Sequence, residues 1–294
     1  MASILNIPNS FVTFYNLSNN TGIPEYVTDS DCGIQKDFCY PIYDVGDIAF
    51  QTQVVSTEVI SSVTVYKIPP SGTGIILNDV FTNIVTNGTQ NGVPIYNIYF
   101  SFLLSDLMDG LFDGDCFQLG FACGTSEPSF FVSNQCFKKI ADKCLTTRLQ
   151  YFNNENAFGF VYRTVSIPFP PITLPLNNYI RLPLYLKEPI ISSDKNVYVR
   201  SDGSRKLLSA RLAKKYKAIV DHVPEETHQN IVVALNHDEV TLLPDNFDTS
   251  NGIRCRFEDE YNNNFPEIMQ NVSIWSADFT IFETPFNNFN SNCG

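Results

Sequence analysis

Few side chains in this sequence could carry acid-base chemistry. Histidine occurs only at His222, His228 and His237. The first two lie six positions apart, which puts them on poorly matched faces of any helix. The tighter grouping is His228, His237 and Asp238. To act as a general base or a metal site it would need a nucleophile or an open ligand position, and the sequence points to neither. A structural reading competes with it: His228 satisfies a backbone group beside a helix, and His237-Asp238 caps that helix. No catalytic residue, cofactor or metal is expected.

Cysteine is the other reactive type, at Cys32, Cys39, Cys116, Cys123, Cys136, Cys144, Cys255 and Cys293. An even total could form four disulfides. However, Met1 to Tyr15 lacks the basic start and apolar stretch of an export signal, so cytoplasmic synthesis and buried thiols are expected. The intervals Cys32 to Cys39, Cys116 to Cys123 and Cys136 to Cys144 are too wide for the paired ligands of a zinc knuckle. Asp106, Asp109, Gly110, Asp113, Gly114 and Asp115 form an oxygen-rich loop that could hold calcium. It lacks the ordered acids and closing Glu of an EF-hand, so it reads as a solvated turn. Glu225-Glu226 and Glu258-Asp259-Glu260 read as a helix start and a solvated loop rather than a paired-carboxylate site. Nucleophile elbows, phosphate loops and metalloprotease helices are absent.

The elements that would position the histidines lie between Val197 and Leu243. Val197 to Val199 and Lys206 to Val220 read as two strands. Asp202-Gly203 supplies the positive φ of the reversal between them. Leu208, Ala210 and Leu212 alternate with Ser209, Arg211 and Ala213 as in a half-buried strand. The run ends at Asp221-His222-Val223-Pro224, with Pro224 suited to the first turn of a helix and Glu225 and Glu226 at its electropositive end. Thr227, Ile231, Ala234 and Leu235 share one helical face, which predicts docking on the sheet that Leu208, Ala210 and Leu212 help form. Asn236-His237-Asp238 closes the helix, and Val240 to Leu243 resumes as strand.

This order of residues, Ser201-Asp202-Gly203, Leu208-Ser209-Ala210, Lys215-Tyr216, Asp221, Pro224-Glu225-Glu226, His228 and Ala234 to Val240, resembles a segment of virion proteins from tailed phages and prophages of Bacteroidetes, including the crAss-like phages. Cys144 to Thr147, Tyr151-Phe152, Glu155 to Phe160 and Ile180 to Pro183 look like the lead-in to the same module. The resemblance covers about Cys144 to Leu243, with a weaker echo from Phe38 to Gln51. It implies a structural virion protein that works through contacts with its own copies and with other virion subunits.

Composition fits a sheet protein: aromatic residues make up 13%, with 24 Phe and 14 Tyr, while charged residues are only 17%. The expected fold is mainly β, with two antiparallel, jelly-roll-like β-sandwich domains, 1–143 and 144–294, and one short helix in the second. Pro168 to Pro175, with its four prolines, fits an edge, arm or linker, and the Asn-rich tail from Phe286 is expected to be loose. Asn87-Gly88 marks a hairpin turn between Ile75 to Val85 and Val93 to Leu104. A formal net charge of −12 opposes a nucleic-acid role, and no stretch approaches the ~20 apolar residues of a membrane span. The expected function is a ring subunit of a phage tail or neck, located in the virion. The competing expectation is a surface-exposed fibre or decoration module that binds host carbohydrate.

Overall fold

The computed structural model of the chain describes residues 2–7, 10–17, 38–59, 63–68, 75–77, 80–102, 111–123, 129–152, 164–168, 171–175, 178–244, 252–257, 260–264, 274–284 and 287–290. The N-terminal strands are β1 (Ala2–Leu5), β2 (Phe14–Leu17), β3 (Tyr40–Ile42), β4 (Ala49–Ser56), β5 (Val63–Ile68), β6 (Ile75–Leu77), β7 (Val80–Gln90) and β8 (Val93–Phe102). Next come β9 (Cys116–Cys123), β10 (Ser129–Ser133), β11 (Phe137–Lys139), β12 (Thr147–Phe152), β13 (Thr164–Pro168), β14 (Pro171–Pro175), β15 (Asn178–Leu182) and β16 (Leu184–Leu186). The last are β17 (Ile190–Val199), β18 (Arg205–Pro224), helix α1 (Glu225–Leu235), β19 (Glu239–Pro244), β20 (Ile253–Phe257), β21 (Asn262–Asn264), β22 (Ile274–Glu283) and β23 (Asn287–Asn290). The protein is mainly β, as composition predicts. Among the described residues no helix is long and apolar enough to cross a membrane.

One large antiparallel sheet runs β16-β18-β22-β20-β19-β12-β15-β4-β8-β7, and a second runs β2-β10-β9-β11-β3 with β5 and β6 attached. The sheets face each other through aromatic rings. Phe14 of β2 packs on Phe50 of β4 and Phe121 of β9, with centroids 5.6 and 4.9 Å apart, and Phe100 of β8 lies 4.9 Å from Phe50. Strands β12, β19 and β22 alternate buried and half-buried residues, as a period of two demands of a sheet with one face on the core. Helix α1 packs on β12, β18 and β22. The proline-rich pair β13-β14 forms a separate two-stranded sheet, away from any central position. Part of the tail predicted to be loose is strand β23, paired with β18.

The turn reading at Asn87-Gly88 needs correction. The reversal between β7 and β8 is at Asn91-Gly92, with φ of 52° and 79°, the two positive values that a tight primed hairpin turn requires. Asn87-Gly88 lies inside β7, where the register shifts between Thr86 and Thr89 and Gly88 has φ 91°. It is a bulge. Both Asn-Gly pairs carry the same local signal, and only the pairing with β8 distinguishes a reversal from an extra residue in a strand.

The strands on either side of residue 143 meet in the large sheet, where Tyr179 of β15 pairs with Ala49 of β4. A buried ion pair reinforces the junction. Arg181 donates from Nε and Nη2 to the two carboxylate oxygens of Asp47 at 2.6 and 2.8 Å, and both residues are buried. Asp47 also accepts the backbone N–H groups of Tyr43 and Asp44, while Arg181 donates from Nη1 to Thr146.

Candidate functional site

The module around α1 is built by β18, which delivers the chain into the helix. The predicted break at Asp221 is instead a register shift within β18, between Val220 and Val223, with Asp221 and His222 exposed. Pro224 is not in the first turn: it is the N-cap, in extended conformation, and still pairs with Ile274 of β22. At the far end Asn236 donates its side-chain N–H to the Val232 carbonyl, at 2.7 Å. Thr227, Ile231, Ala234 and Leu235 are all buried, so the apolar face lies where its spacing placed it. The strand segment predicted beneath it is a different matter. Ala210 and Leu212 pair with β17 and β23, near the opposite end of a 20-residue strand, and Leu208 is the extra residue where the register with β17 shifts. The helix seats near Val220 and Val223 because its first residue follows directly from that end.

Asp202 and Gly203 are equally remote from the helix. Gly203, at φ 82°, turns the β17-β18 hairpin, with its N–H donated to the Arg200 carbonyl and the Ser204 N–H donated to Asp202. At ~3.3 Å per residue, roughly 60 Å of strand separates this turn from α1. The structure therefore brings together Pro224, His228, Ile231, Leu235, His237 and Asp238, and separates Asp202 and Gly203 from them.

Both buried histidines are held by neighbouring groups. His228 Nε2 lies 3.0 Å from the Trp275 carbonyl and Nδ1 lies 2.6 Å from the Tyr261 hydroxyl. A carbonyl only accepts, so Nε2 carries the proton and the Tyr261 O–H donates to Nδ1. The ring stacks on Trp275 at 5.2 Å. His237 Nδ1 reaches the Val233 carbonyl at 2.9 Å, an acceptor of the last helical turn that also takes the Asn236 N–H. Its ring meets Tyr151 edge-on at 4.8 Å. Burial pushes both imidazoles below their ordinary value of 6.5, outweighing their carbonyl contacts.

That shift has a consequence for stability. The unfolded chain protonates these histidines near pH 6.5, before the folded chain does. Below that pH the unfolded state binds more protons. Stability is therefore full above about pH 6.5 and falls with decreasing pH toward the folded values, by up to ~1.4 kcal/mol per pH unit for each histidine. Urea midpoints measured from about pH 8 to 5 are expected to drop over this window, and less steeply in His228→Gln and His237→Gln. A flat wild-type profile would contradict the assignment.

Beside the helix C-terminus is an open cleft of ≈ 360 Å³, lined by His237, Asp238, Glu239, Arg254, Cys255 and Arg256 among others. Arg254 is paired with Glu239 at its rim. Cys255 is a poor nucleophile, because burial pushes its thiol up to about 12, far from the thiolate state that reacts. The cleft offers polar contacts and no activated group among the described residues.

The cysteine expectation is corrected at three positions. Cys39 and Cys136 form a disulfide, and Cys116 is disulfide-bonded as well. Cys123, Cys144 and Cys255 are thiols, the first and last of them buried. Cys32 and Cys293 lie outside the described residues, as do Asp106, Asp109 and Gly110 of the acidic loop and Glu155 to Phe160 of the lead-in. No protein-family model matches the chain, and no curated protein matches it.

Proposed function

We propose that the chain is a structural subunit of a tailed-phage virion that assembles as a ring in the tail or neck. In this reading it acts through contacts with its own copies and with other virion proteins, without a cofactor and without binding membrane or nucleic acid. The observation that carries this reading is the β17-β18 hairpin. Beyond Ser209, where the pairing of β18 with β23 ends, the tip is only two-stranded, an arrangement marginal in water on its own, and the hairpin exposes Ile190, Ile191, Val197, Tyr198, Val199 and Leu207, from 39% to 72% accessible. Such an apolar arm gains stability by burial against a neighbour, at about 1.5–3 kcal/mol for each large side chain fully covered.

Charge favours another copy as that neighbour. Residues 187–217 hold nine of the 19 Lys and Arg but three of the 31 Asp and Glu, so the arm is net +6 and the remainder net −18. Lys214 and Lys217 are paired with Glu283 and Asp278, while Lys187, Lys195, Arg200 and Arg205 are exposed. A basic arm on an acidic body gives a contact between two different surfaces, the heterologous geometry from which closed rings are built.

Native mass spectrometry is expected to show a discrete oligomer that weakens as salt rises. The double variant Ile191→Glu with Tyr198→Glu is expected to give a folded monomer, with unchanged circular dichroism and a melting temperature lowered by the loss of the contact. A wild-type chain that stays monomeric at every concentration would overturn the ring. Purified phage particles lacking this chain would overturn the virion assignment.

A further inference from the structure

The sheet register gathers three cysteines that the sequence scatters. Cys39 directly precedes β3 and Cys136 directly precedes β11. These strands run parallel, with Phe137 opposite Tyr40, so the two cysteines are adjacent, Cα to Cα 4.6 Å apart. Cys116 begins β9 opposite Lys138 of β11. Residues two apart on a strand share a face, so Lys138, Cys136, Cys116 and Cys39 all belong to one side of the three strands. The Sγ atoms of Cys39, Cys116 and Cys136 lie within 4.8 Å of one another. Beneath them Phe117 and Phe137 stack at 5.6 Å in the core, and the site is part-buried, with Cys136 fully so.

All three sulfurs of this face are held in disulfides, Cys39 with Cys136 and Cys116 in another, and reduction frees all three together. Zinc–sulfur bonds of about 2.3 Å place the sulfurs of a tetrahedral site roughly 3.8 Å apart, a spacing that small side-chain rotations reach from here. We propose that Cys39, Cys116 and Cys136, once reduced, form a three-thiolate site for a soft divalent cation of the zinc type. Disulfide and metal are then alternative closures of the β3-β11-β9 junction, selected by redox conditions. The change balances simply. A dithiol reductant opens each disulfide, becoming a cyclic disulfide itself as its two electrons and two protons pass to the protein sulfurs. Binding of Zn²⁺ to three thiols then releases three protons and forms three zinc–sulfur bonds. These residues provide three of the four ligands that a structural zinc takes.

The test uses the full chain, reduced with a dithiol and then freed of reductant under anaerobic conditions. Titration with Zn²⁺ alone should show one ion per chain and protect Cys39, Cys116 and Cys136, but not Cys144, from alkylation, as read by peptide mass mapping. Oxidised protein should bind none at that site. Cys116→Ser, which leaves Cys39 and Cys136 in place, should weaken zinc by more than the roughly 10- to 100-fold that losing a mere supporting group costs. Cys144→Ser should bind as wild type does. Reduced wild type without protection of the three cysteines would overturn the proposal, whatever the folding of the variants. So would a folded Cys116→Ser that binds zinc undiminished.

Discussion

Asp47→Ala is expected to destabilise the protein by about 3–5 kcal/mol, because it leaves the Arg181 guanidinium buried without its counter-charge. Few single changes should cost as much. The carboxylate accepts two N–H groups from Arg181 and two from the backbone of Tyr43 and Asp44, and neither member of the ion pair reaches solvent. Water therefore cannot take over when the carboxylate is removed. Set against a typical total of about 5–15 kcal/mol, the loss should appear as a large drop in the urea midpoint. A double variant, Asp47→Leu with Arg181→Met, separates the charge from the packing. It should recover much of the loss, since apolar replacement of a buried pair is often close to neutral, but not all of it, since two backbone N–H groups stay without an acceptor. A midpoint within a few tenths of a molar of wild type in Asp47→Ala would show that the pair does not hold the junction.

The second large effect is expected of Ile231→Asp. Ile231 is fully buried at the centre of the α1 face, so the substitution forfeits ~2 kcal/mol or more of apolar burial. It adds several kcal/mol for a carboxyl group with no partner. Helix α1 also ties distant parts of the chain together: Thr227 is hydrogen-bonded to Tyr40, and Asn230 donates to the Ser10 carbonyl. Unseating it should therefore loosen both the C-terminal strands and the N-terminal segments packed against them. Circular dichroism and denaturation are expected to show loss of cooperative folding in Ile231→Asp, while Gln229→Asp, exposed on the same helix, should behave as wild type. Equal stability of the two variants would contradict the seating of the helix.

Some of this architecture was legible in the residues themselves. The aromatic and β-branched content specifies sheet; Thr227, Ile231, Ala234 and Leu235 specify a buried helical face; and Gly203 specifies a turn, because φ preference and side-chain period are set by near neighbours. Those signals also show where local information ends. Asn87-Gly88 and Asn91-Gly92 are chemically alike, and only the register with β8 makes one a bulge and the other a reversal. The ion pair joins residues 134 apart, and the disulfide joins residues 97 apart. No interval between cysteines announces that Cys39, Cys116 and Cys136 share a face, because a one-residue slip of any of the three strands would turn its cysteine to the other side. Register is fixed by the burial of the whole sheet, so the chemistry of those sulfurs is decided by the tertiary structure and the helix face by the sequence.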